Sequence, residues 1–121
     1  MHVLVIDDDP GVRFVLGAMV RRLGFSPLLA ANGPEGLELL REHATQVACT
    51  LVDLTMPDWN GLETRERIRA ELPGAPVLLM TGHAEDAPGA TAGELLRKPF
   101  TSQELGAALA KGAALPPASA T

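Results

Sequence analysis

Six residues that lie far apart in the sequence have the right types to handle a phosphoryl group. Asp7, Asp8 and Asp9 follow the apolar run Val3-Leu4-Val5-Ile6. Asp53 follows Ala48–Val52, Thr81 follows Val77–Met80, and Lys98 follows Leu95-Leu96-Arg97. Crowded carboxylates repel one another and resist ionising unless a cation lies among them. An all-oxygen site suits Mg²⁺, which keeps several waters and takes one or two carboxylates plus phosphate oxygens. A lysine supplies a point charge, and a threonine a hydroxyl donor, for the equatorial phosphoryl oxygens. The Asp53 carboxylate would then serve as nucleophile and form an acyl phosphate.

That chemistry requires the six residues to meet in one crevice, so the elements that carry them must end at a common edge. The run 3–6 is continuously apolar, as strands buried on both faces are, and 48–52 and 77–80 read as further buried strands. Ser26–Ala30 and Leu95-Leu96-Arg97 read as two further strands. Helical patterns alternate with them. Asp9 is placed to cap a helix opening at Pro10, with Val12, Val15, Leu16, Met19, Val20 and Leu23 as its inner stripe and Gly24 as its end. Asn32-Gly33-Pro34-Glu35 opens a second helix with Leu37 and Leu40 inside. Asn60-Gly61-Leu62-Glu63 opens a third, to about Leu72, and Thr101-Ser102-Gln103-Glu104 is a capping box for a last one, to about Lys111. Alternation of this kind implies a mostly parallel, doubly wound α/β sheet with right-handed crossovers. Ligands bind such sheets beyond the carboxyl ends of the strands.

Bulk properties exclude several function classes. The chain has 121 residues, enough for one domain with a real core, and 46% of them are hydrophobic. A net charge of −5 argues against a nucleic-acid footprint, which needs a basic patch. No apolar run is long enough to span a membrane, and Met1-His2-Val3-Leu4 does not read as a signal peptide. The lone Cys49 permits no internal disulfide and reads as a small buried hydrophobe, so a cytoplasmic location is the default expectation. His2, His43 and His83 have no metal-ligand spacing with each other or with Cys49. Asp9 reads as a cap, Asp58 as a turn residue, and Trp59 as a loop residue half packed on the third helix. A P-loop pattern is absent.

Four segments together resemble the receiver domains of bacterial response regulators and hybrid histidine kinases: "VLVIDDDP" (3–10), "VDLTMPDWNGLE" (52–63), "VLLMTGHAE" (77–85) and "LLRKPFTSQEL" (95–105). The resemblance runs from about position 2 to 111. It implies a flavodoxin-like, five-stranded parallel sheet of order 2-1-3-4-5 with helices on both faces, and a receiver domain over 1–111 followed by a flexible Pro/Ala tail over 112–121. It further implies that Asp53 is the phosphoacceptor and that Mg²⁺ is the cofactor. Asp8 and Asp53 would be direct metal ligands, Asp7 a ligand through water, and the Thr55 carbonyl would complete the set. Thr81 and Lys98 would stabilise the phosphoryl group, Pro99 would aim the lysine, and Gly82 would leave the phosphoryl path open. Thr55 and His83 sit where the family tunes hydrolysis. The implied partner is a histidine kinase or phosphotransfer domain. Nucleic acid and membrane are not expected partners, a monomer or weak dimer is expected, and no turnover beyond the domain's own phosphorylation and dephosphorylation.

Two departures from the family pattern bear on output. Thr81 and Lys98 are 17 positions apart, shorter than usual, with Pro88, Gly89 and Gly93 between them, so the fourth helix is expected to be shortened or missing. Leu95 stands where many receivers carry an aromatic that turns inward with the threonine. A relay, a phosphoryl sink or the receiver part of a hybrid kinase is therefore expected, rather than a domain that dimerises through that face. Two other readings compete: a phosphorylation-independent interaction module, and a phosphatase of the haloacid dehalogenase class using Asp7.

Overall fold

Apolar runs without polar alternation can be buried only between two layers, and that is where the structure puts them. The computed structural model describes residues 1–82 and 95–112 of the chain. In chain order the elements are β1 (His2–Ile6), α1 (Pro10–Arg22), β2 (Ser26–Ala30), α2 (Gly33–Glu42), β3 (Val47–Asp53), α3 (Gly61–Glu71), β4 (Val77–Thr81), β5 (Leu95–Arg97) and α4 (Ser102–Gly112). The strands form one sheet of order β2-β1-β3-β4-β5, and every pairing is parallel.

The period-two alternation of strand side chains splits the core into two halves. Val3, Val5, Leu51, Leu78, Met80 and Leu96 face one way and pack with Leu16 and Val20 of α1 and Leu105 and Leu109 of α4. Leu4, Ile6, Val52 and Leu79 face the other way and pack with Leu37 and Leu40 of α2 and Ile68 of α3. Each helix starts where a polar residue satisfies its free N–H groups. Asp9 accepts from the Gly11 and Val12 N–H groups, Asn32 from Glu35 and Asn60 from Glu63. At α4 the capping box is reciprocal: Thr101 N–H donates to Glu104 Oε1 at 2.9 Å, and Glu104 N–H donates to Thr101 Oγ1 at 3.1 Å. Gly24 leaves α1 at φ 91°, a conformation that favours glycine.

The inner stripe expected on α1 holds for Leu16 and Val20, but Val15 is 51% exposed. The buried arc is rotated toward Gly17, which packs against Leu29 and Pro27 of β2. Val15, about 100° around the helix from Leu16, is left at the rim. Helix α4 runs to Gly112, one residue beyond the expected domain end. The expected shortened fourth helix falls in 83–94 and the tail in 113–121, both outside the described residues.

Gly61 ties the third helix to the site. Its N–H donates to Leu54 O at 2.8 Å, and a Cβ there would lie 2.7 Å from Leu54 Cα and 2.9 Å from Asp53 O. Backbone cannot step aside as a side-chain end can. Gly61→Ala should therefore destabilise the fold by about 1–3 kcal/mol despite alanine's better helix propensity. Urea denaturation checks this, and an unchanged midpoint would contradict the close packing.

Candidate functional site

All the chemically reactive strand ends converge at the carboxyl edge of the sheet. β1 delivers Asp7 and Asp8, β3 ends in Asp53, β4 ends in Thr81, and Lys98 follows β5. The β3 and β4 ends are joined by Leu54 N–H donating to Met80 O at 2.9 Å, and Lys98 N–H donates to Thr81 O at 2.8 Å. One carboxylate oxygen each from Asp7, Asp8 and Asp53 lies within 4.8 Å of the others. Lys98 Nζ donates to Asp7 Oδ2 and to Asp53 Oδ1, both at 3.3 Å. The Asp7 side chain is 1% exposed and that of Asp53 13%, while Asp8 is exposed.

Burial raises the Asp53 carboxyl above its ordinary 3.8, and the Asp7 charge adds to this; Lys98 and a backbone hydrogen bond from Thr55 pull the other way. Lys98 feels burial as a lowering, but Asp53 and Asp7 together carry it above its ordinary 10.5. The site is thus short of positive charge: one ammonium serves two buried acids, with a third beside them. A small divalent cation fits this donor set, since it would neutralise the residual charge and take oxygen ligands.

The other expected residues fall into place unevenly. Thr81 is buried, with its Cα in register with Arg97. Thr55 is exposed and meets Asp53 through its backbone. The Lys98–Pro99 peptide is cis. A Cβ on Gly82 would meet nothing within 4 Å among the described residues. Leu95 is half-buried and packs on the α2–α3 side of the core. His83 lies outside the described residues. Asp9 caps α1 as expected and also donates its N–H to Asp7 Oδ1 at 3.0 Å. Trp59 packs beside Gly33 with Arg67 4.5 Å over its ring. Burial pushes the Cys49 thiol up to about 12, which suits an inert core residue. The His2 and His43 rings meet edge-on at 5.6 Å, and no described metal-competent cluster includes them.

Sequence reasoning missed two features. Arg13 reaches back from α1 to donate Nη1–H to Asp7 O at 2.7 Å. The only cue is its position six residues after Asp7. An apolar groove of about 690 Å³ also runs beside Lys98 between α1 and the β5–α4 loop, lined by Val12, Val15, Met19, Pro99 and Phe100 among others. No local pattern announces it.

The raised Asp53 pKa sets a sign for stability. A carboxyl whose folded pKa is raised favours folding at pH below its unfolded value, and that contribution is lost as pH rises through the folded pKa. Ionised Asp53 therefore costs the fold at neutral pH. In Mg²⁺-free buffer, Asp53→Asn should melt above the wild type at pH 7, by on the order of a few degrees. The gap should close as pH falls through the raised pKa toward 3.8. A variant that melts lower at pH 7 would show that the ammonium contact outweighs the burial.

A model of the response regulator receiver domain family matches residues 3–110. The chain is 36% identical over 92 residues to transcriptional regulatory protein GlrR of Escherichia coli (strain K12), covering 74% of this chain and 20% of that one. It is 34% identical over 119 residues to transcriptional regulatory protein ZraR of the same organism, covering 94% and 26%. The chain thus spans about a quarter or less of these relatives. Among solved structures, a response regulator receiver domain protein from Clostridium thermocellum superposes with a TM-score of 0.86 at 29% identity, covering 93% of this chain and 94% of that one. The receiver domain of a sensor histidine kinase from Pseudomonas aeruginosa PAO1, a structure with a magnesium ion coordinated in its active site cleft, gives 0.78 at 27% identity, covering 93% and 97%. With its family model spanning all but the first two and the last eleven residues, the chain belongs to the response regulator receiver domains.

Proposed function

We propose that this receiver domain takes a phosphoryl group onto Asp53 from a phosphohistidine on a histidine kinase or phosphotransfer domain. The observation that carries this reading is the three-acid cluster bridged by Lys98. Asp8, Asp53 and the Thr55 carbonyl would hold Mg²⁺ directly and Asp7 through water, and the ion would offset the charge of the acids and the incoming phosphoryl oxygens.

An Asp53 oxygen attacks phosphorus as the phosphorus–nitrogen bond to the donor imidazole breaks, and the pair in that bond stays with the imidazole. Lys98 then exchanges its bond to Asp53 for one to a phosphoryl oxygen while keeping Asp7. The Thr81 hydroxyl donates to a second oxygen. Pro99 aims the lysine and Gly82 leaves the approach open, while Thr55 and His83 hold the sequence positions at which the family tunes hydrolysis. No substrate is turned over beyond the domain's own phosphorylation and dephosphorylation. The groove beside Lys98, with Val15 51% exposed in its lining, supports docking of the donor protein on an apolar surface next to the lysine that contacts Asp53. The net charge of −5 disfavours nucleic acid as a direct partner, and no helix among the described residues is long and apolar enough to cross a membrane. The Leu95 substitution supports a relay, sink or hybrid-kinase role over output through an aromatic switch.

Incubation with phosphoramidate or acetyl phosphate, followed by intact mass, tests the reading. The wild type should gain one phosphoryl group only with Mg²⁺, and Asp53→Ala should gain none. Absence of any adduct would instead favour a phosphorylation-independent interaction module. Lys98→Ala should slow adduct formation by about 10²-fold, the order lost when one preorganised charge contact is removed. Val15→Glu should leave labelling by the small donor intact while slowing transfer from a phosphorylated partner by about tenfold, as loss of one apolar interface contact does. Equal slowing of both donors would place the partner elsewhere.

A further inference from the structure

Each acid of the cluster is held differently. Asp7 is fixed through both oxygens, by Lys98 on Oδ2 and by the Asp9 N–H on Oδ1. Asp53 is fixed by Lys98 and by the Thr55 backbone. The Asp8 carboxylate is exposed, and no hydrogen bond or ion pair from a described residue holds it. Its position beside the other two acids is therefore set by its backbone.

That backbone has a clamp. Arg13 Nη1 donates to the carbonyl oxygen of Asp7 at 2.7 Å, in a partly buried setting. This oxygen belongs to the peptide that joins Asp7 to Asp8. Rotation of that peptide plane swings the Cα–Cβ bond of Asp8, and with it the carboxylate. A bond from a guanidinium to a carbonyl is charge-assisted and of the short, strong kind. Arg13 is itself anchored, since its own N–H donates to Asp9 O at 3.0 Å in the first turn of α1. The Asp7 N–H, meanwhile, is tied to Ala30 O on β2 at 3.1 Å.

We infer that Arg13 is a positioning residue for the cation site: it orients the Asp7–Asp8 peptide so that the unsupported Asp8 carboxylate stays beside Asp53. This rests on the Mg²⁺-dependent reading above. Two effects of Arg13 oppose each other, and this makes the inference testable. As a nearby cation it repels Mg²⁺, so its removal would tighten binding if charge alone mattered. As a clamp it supports a ligand, so its removal loosens binding.

Mg²⁺ would be titrated calorimetrically into the whole chain as wild type, Arg13→Met and Arg13→Lys. Arg13→Met should weaken Mg²⁺ binding by about tenfold, the usual loss when a group that orients a ligand is removed. Arg13→Lys, which keeps the charge and one donor, should fall between. In phosphoramidate labelling, the Mg²⁺ concentration for half-maximal rate should rise in Arg13→Met while the maximal rate changes little. Equal or tighter Mg²⁺ binding by Arg13→Met overturns the clamp, as does a lowered melting temperature with unchanged affinity. A wild type that neither binds Mg²⁺ nor labels would defeat the phosphoacceptor reading instead. The backbone amide resonance of Asp8 in metal-free protein then decides the clamp: exchange broadening or a large shift in Arg13→Met supports it, and an unmoved signal overturns it.

Discussion

One ammonium group shared by two acids organises this protein's functional edge. The Nζ of Lys98, which follows β5, lies 3.3 Å from both Asp7 and Asp53, the acids that leave the paired strands β1 and β3. A buried carboxylate pair without a partner would shed its charge or distort its surroundings. One lysine does not neutralise two acids, and a third stands alongside. The residual negative charge is what a small divalent cation at this edge could offset, and the partly buried Lys98 is the positive group the proposed phosphoryl oxygens would meet.

Everything around this contact keeps the groups at the required separation. The parallel register fixes where each strand stops relative to its neighbours. The β1–β3 pairing places Ile6 against Val52, so the next residues, Asp7 and Asp53, leave the sheet side by side. The β4–β5 pairing sets Thr81 against Arg97 and therefore puts Lys98 just beyond it. Glycine at 61 lets α3 press directly on the backbone that carries Asp53. The two apolar halves of the core clamp the sheet between helix layers, and a close-packed interior of this kind resists small displacements.

Much of the fold was legible in the sequence because its signals are local. Continuous apolar runs mark buried strands, and the caps at Asp9, Asn32, Asn60 and Thr101 mark helix starts through hydrogen bonds spanning two or three residues. Ser26–Ala30 and Leu95–Arg97 have the same bounds in the structure as in the reading of the pattern. Val15 was misread for a reason that is equally clear. Helical periodicity gives a stripe, but how far the stripe is rotated depends on Gly17 packing against β2, which is a contact between elements.

The sequence by itself determined the residue types and their order: acids after the first and third apolar runs, a threonine after the fourth, a lysine after the fifth. Those follow from short-range chemistry and from the rule that parallel α/β sheets present strand ends at one edge. Only the tertiary structure decided that a single Lys98 nitrogen bridges Asp7 and Asp53, that Arg13 grips the peptide between Asp7 and Asp8, and that an apolar groove opens beside the site. The 3.3 Å contacts of Lys98 with acids 91 and 45 residues away are set by strand register and helix packing, and no local pattern encodes them.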